Sequence, residues 1–123
     1  MRILNQEVSQ GDTAVALRAC GIALTSALLT PTVIRDAGAR PAFKGYRGFP
    51  GSICASPNSM VVHGIPGPYE LKRGDVISID VGVTKDGWVA DGAMTLPVGP
   101  IDTEAKRLLA VTVAALLYRH ASA

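Results

Sequence analysis

Three acidic or basic side chains stand in surroundings where they could do chemistry: Asp80, Asp91 and His63. The two aspartates sit in apolar runs on either side of Asp86-Gly87, within the stretch Ile77–Thr95. Asp-Gly between apolar runs favours a two-residue type I′ hairpin turn. Pairing Lys85 with Trp88 across that turn sets Asp80 opposite Ala93 and Asp91 opposite Gly82. Side chains alternate along a strand, so residues 80, 82, 91 and 93 share one face. The carboxylates are then diagonal neighbours, with Cβ atoms roughly 6–8 Å apart. Two carboxylates that close in an apolar site leave two outcomes: one takes a proton and its pKa rises, or a cation sits between them. Gly82, opposite Asp91, is expected to leave room for the cation. An exposed hairpin whose aspartates face water remains the alternative on these residues alone. His63 lies in Met60-Val61-Val62-His63-Gly64-Ile65-Pro66, which reads as a short strand ended by a Gly/Pro pair. Its ring nitrogens can donate or accept near neutral pH, though a lone histidine is also a common structural residue.

The elements that must position these residues follow from pattern. Residues 1–12 are polar and show no period. Asp12 or Thr13 can cap a helix to about Leu29, with Leu17, Cys20, Gly21, Leu24 and Leu28 near helical spacing. That run contains Arg18, Gly21, Thr25 and Ser26, falls short of a membrane span and lacks the basic start of an export signal, so it reads as a packed helix. Thr30-Pro31 interrupts, and a turn of helix through Ile34-Arg35-Asp36 is stopped by Gly38. From Pro41 to Asn58 the chain is dense in Gly and Pro and reads as loops and bulged strands, with Phe43, Tyr46 and Phe49 either pinning the loop or lining a pocket. Ile53-Cys54-Ala55 suggests a short strand. Asp102 or Thr103 can cap a second helix, along which Ala105, Leu108, Leu109, Thr112, Val113, Leu116 and Leu117 form an i, i+3, i+4 stripe.

Composition bounds the function. The 123 residues suit one domain with a modest core, and 48% hydrophobic residues argue for a folded chain. A net charge of +2 with scattered basic residues shows no nucleic-acid-binding stripe. Cys20 and Cys54, in no CxxC pattern, fit free thiols of a reducing cytoplasm better than a disulfide framework, with a single long-range bridge as the alternative.

Several blocks in order carry a family likeness: Ala42-Phe43-Lys44-Gly45-Tyr46-Arg47-Gly48-Phe49-Pro50-Gly51-Ser52-Ile53-Cys54, then Val61-Val62-His63-Gly64-Ile65-Pro66, then Leu71 through Gly82, then Asp86-Gly87, Asp91 and Val98-Gly99. Over roughly two-thirds of the chain, about Ile34 to Leu117, they resemble the N-terminal half of bacterial type I methionine aminopeptidases of peptidase family M24. The resemblance implies an α+β fold, half of a pita-bread (creatinase/aminopeptidase-like) fold, with an antiparallel sheet and packed helices. It implies two segments: a divergent, helical leader over 1–33 and the family's N-terminal half over 34–123.

By the same resemblance Asp80 and Asp91 match two aspartates of a dinuclear divalent-metal centre (Co, Mn, Fe or Zn). His63 matches a histidine that meets substrate near the scissile bond, and Tyr46, Phe49 and Cys54 match the pocket for the methionine side chain. The implied reaction is removal of the initiator methionine from nascent proteins in the cytoplasm, with the N-terminal peptide as partner and no nucleic acid or membrane. The family's remaining metal ligands, one histidine and two glutamates, come from its C-terminal half. His120 matches none of them, Asn58-Ser59 stands where Asn-Glu is usual, and Gly92 follows Asp91. The expectation is a truncated chain, inactive alone, that binds metal weakly and self-associates through an uncovered sheet face. The alternatives are a non-catalytic remnant or interaction module, or a half-enzyme needing a partner that supplies the missing ligands.

Overall fold

The computed structural model describes residues 31–121. The helix expected before Leu29, Cys20 and the leader over 1–33 lie outside the described residues, apart from 31–33. Residues 31–36 are helical and end at Gly38, whose φ of 72° closes the helix in the left-handed conformation that glycine adopts without strain. Lys85 Nζ donates to the carbonyl of Ala37 at 2.7 Å and ties this helix end to the sheet.

The sheet is antiparallel and centred on β3. Its strands are β1 (Arg40–Pro41), β2 (Cys54–Pro57), β3 (Val76–Lys85) and β4 (Trp88–Pro97). β4 pairs along all of β3, from Lys85 opposite Trp88 to Val76 opposite Pro97. β1 and β2 share the other edge of β3, at residues 83–84 and 77–80 respectively. Both turn residues have positive φ, 50° at Asp86 and 81° at Gly87, as a type I′ turn requires. The register is therefore the one the dipeptide dictates.

Alternation then sorts the side chains. Ile77 and Ile79 of β3 share a face with Ala55 of β2, and with Ile53 they form the core, against which Leu71, Val81, Leu96 and Val98 pack. Ile53 and Ile77 are fully buried. The opposite face carries Cys54, Ser56, Ser78, Asp80, Gly82, Asp91, Ala93 and Thr95. Ser78 and Thr95, opposed in register, hydrogen-bond at 2.8 Å. One face of the sheet is thus core and the other is polar.

The segment Met60–Pro66 is not a strand but an irregular loop. His63 has a φ of 59°, a left-handed conformation no strand accommodates, and Pro66 has no amide to donate to a ladder. The stem of this loop is closed by Asn58. Its amide donates to the Val76 carbonyl and its Oδ1 accepts from the Val76 amide, while Nδ2 reaches Asp75 Oδ1 and the Tyr69 hydroxyl.

The expected second helix, α1 (Thr103–Ala121), is present, and Asp102 caps it by accepting the Ala105 amide at 2.7 Å. Its apolar stripe is less covered than its period suggests. Ala105 and Leu109 are half-buried, whereas Leu108, Val113, Leu116 and Leu117 are exposed. The side chain of His120 lies outside the described residues. Among the described residues no helix is long and apolar enough to cross a membrane.

Candidate metal centre

The hairpin brings Asp80 and Asp91 to one face in the diagonal arrangement set by the Lys85–Trp88 pairing. Asp80 is half-buried and Asp91 more exposed. The Oδ1 atom of Asp80 is buried and has no hydrogen-bond partner. Burial pushes the Asp80 carboxyl up to about 6, and the adjacent Asp91 adds to the rise through a shared hydrogen bond and its charge. The charge of His63, an exposed loop residue, opposes the rise as the smallest of these causes.

Cys54 lies directly opposite Asp80 on β2, on the same face, and its thiol is buried and free. Burial raises its pKa first, and the charges of Asp80 and Asp91 raise it further. It is therefore a neutral thiol that lines the site rather than a thiolate donor. Gly82 corrects the sequence reading. The expected room for a cation above it is filled by the ring of Phe43, with which a Cβ at Gly82 would collide. Phe43 was legible only as one of three aromatics in a Gly-rich loop, because nothing local to Phe43 reveals the bare glycine on the adjacent strand β3. Of the other aromatics, Phe49 packs against Gly51, and Tyr46 stands 64% exposed beneath the Arg47 guanidinium, 5.5 Å from the ring centre. The structure brings Asp80, Asp91 and Cys54 to one face of the sheet, whereas His63 and Tyr46 stand exposed on their loops.

An orphaned carboxylate oxygen beside a second carboxylate fits a divalent cation, since both supply the hard oxygen donors such ions take. The fit is partial. Among the described residues no three His, Cys, Asp or Glu side chains converge to hold an ion. A groove of about 460 Å³ lies on the core face instead, lined by Ala55, Pro57, Ile65, Tyr69 and Ile77, away from the carboxylates.

The described residues thus form a partial sheet with a carboxylate pair on its polar face. The chain belongs to metallopeptidase family M24, whose model matches residues 18–121. It is 48% identical over 85 residues to the methionine aminopeptidase of Helicobacter pylori, covering 69% of this chain and 34% of that protein. It is 56% identical over 79 residues to methionine aminopeptidase 1 of Bacillus subtilis, covering 64% and 32%. The methionine aminopeptidase structure from Thermotoga maritima superposes with a TM-score of 0.78 at 37% identity, covering 86% of this chain and 46% of that one. The Rickettsia prowazekii structure gives 0.74 at 41%, covering 77% and 38%. The fold is thus part of the pita-bread fold, as the sequence blocks imply. The chain spans about a third of the length of the curated relatives it matches.

Proposed function

We propose that this chain is the aspartate-bearing portion of a metalloaminopeptidase that removes the initiator methionine from nascent proteins in the cytoplasm. The observation that carries the reading is the unpartnered, buried Oδ1 of Asp80 beside Asp91, on a hairpin shared with relatives named methionine aminopeptidase. Asp80 and Asp91 would hold divalent ions, with Co, Mn, Fe or Zn as candidates and two per complete site. When bound, such ions polarise the scissile carbonyl and make water a better nucleophile. His63 would orient the substrate amide by donating or accepting a proton at a ring nitrogen. Cys54, Phe43 and Phe49 would exclude water and shape the pocket for the methionine side chain, and Tyr46 would close it from the exposed loop.

A second reading rests on the donor count. Two carboxylates are all that converge among the described residues, so the site would be completed by His and Glu donors from elsewhere, supplied by a partner polypeptide or by further residues. The residues Leu108, Val111 and Val113 on α1 and Val61 and Val62 on the loop are more than half exposed, whereas the sheet's apolar face is buried at its centre. Self-association would therefore use the helix and loop more than the sheet.

A chimera tests the proposal. Residues 34–117 replace the matching segment of the Bacillus subtilis enzyme, and methionine release from a Met-Ala-Ser peptide is followed with Co or Mn. Turnover is expected, and Asp91→Ala should reduce it roughly 100-fold or more by removing a metal ligand. A folded chimera that binds metal but releases no methionine would contradict the reading.

A further inference from the structure

The loop that carries His63 is anchored by a residue with no part in the chemistry above. Ser56 is buried to 3% exposure on β2, opposite Ser78 and on the carboxylate face. Its Oγ accepts the Gly64 amide at 3.0 Å, and the Ala55 amide donates to the Gly64 carbonyl at 2.8 Å. Two consecutive residues of β2 thus hold both backbone groups of Gly64. The approach is so close that a Cβ at Gly64 would collide with the Ala55 carbonyl.

The amide that Ser56 binds belongs to the His63–Gly64 peptide. It therefore fixes the plane that leaves His63, whose φ of 59° is unfavourable for a residue with a side chain. Such a conformation costs on the order of 1–3 kcal/mol and persists only where the surroundings enforce it. The loop's stem, closed by Asn58 on Val76 and Asp75, lies five residues before His63 and fixes entry to the loop, not the histidine itself.

We propose that Ser56 is a positioning residue for His63: its buried hydroxyl locks the His63–Gly64 peptide against β2 and so holds His63 in its left-handed conformation at the loop. That His63 meets substrate rests on the function proposed above. The restraint does not, and it is measured on the metal-free chain, so a chain that binds no metal can still pass or fail this test.

Two readouts follow the restraint. Hydrogen exchange reports the Gly64 amide, and carbethoxylation by diethyl pyrocarbonate, mapped by mass spectrometry, reports access to the His63 ring. In the wild type the Gly64 amide is expected to exchange at least about tenfold more slowly than an unprotected amide. Ser56→Ala should remove that protection and alter the rate of His63 modification, and Ser56→Thr, which keeps the hydroxyl, should restore both. A loss of packing alone would not be rescued selectively by a hydroxyl. Unprotected exchange at Gly64 in the wild type overturns the proposal. So does a folded Ser56→Ala chain with unchanged rates at Gly64 and His63. If Ser56→Ala fails to fold, the wild-type exchange rate and the Ser56→Thr chain decide the matter.

Discussion

Asp80 holds its proton more tightly in the folded chain than an ordinary aspartate does, because burial disfavours its charge and Asp91 stands beside it. A folded-state value of about 6 against the ordinary 3.8 fixes the sign of its pH dependence. The raised group favours the fold when protonated, so its contribution is full below the ordinary value and is lost as pH rises toward about 6. The metal-free chain is therefore expected to lose stability across that window, and Asp80→Asn should flatten the loss, as urea midpoints at both ends of the window would show. An unchanged slope would contradict the burial argument. Metal uptake runs the other way, since it needs the carboxylates charged, and should strengthen as pH rises through the same window. The two aspartates and their common face were legible in the sequence because the turn dipeptide dictates the register. The orphaned Oδ1 was not, because burial of a single atom depends on neighbours from other strands.

The hairpin, the strand at Cys54 and α1 all follow from local chemistry: a turn that needs positive φ, alternation, and an aspartate cap. The loop around His63 does not. Its geometry comes from Gly64 meeting Ser56 and Ala55, a tertiary contact that apolar periodicity cannot encode, so a run of Val61-Val62 resembles a strand and is not one. The close fit of Phe43 on Gly82 gives a test at this scale. Gly82→Ala should destabilise the chain by about 1–3 kcal/mol through overpacking. Adding Phe43→Ala should then cost less than the two single changes together, since one clash underlies both. Additive losses in thermal or urea denaturation would mean that the ring does not press on Gly82. At the helix, Asp102→Ala should cost about 1 kcal/mol by releasing the Ala105 amide, read by the same denaturation curves.

The described residues form a sheet with a core on one face and a carboxylate pair on the other. Its relatives are about three times as long as the matched portion. Sequence blocks alone placed it within the family and assigned it half of the fold; which apolar surfaces stay exposed required the packing of α1, whose stripe is periodic yet largely uncovered. Among the described residues two carboxylates converge, so the 123-residue polypeptide is expected to release no methionine by itself, and turnover by the chain alone would show that other donors complete the site. The central claim is that Asp80 and Asp91 act together as metal ligands. Calorimetric titration of Mn into the wild-type chain, Asp80→Asn and Asp91→Asn at neutral pH tests it most directly. Weak binding, with Kd on the order of 10⁻⁴–10⁻³ M, is expected for the wild type and should vanish in both variants. Equal isotherms for all three chains would contradict it.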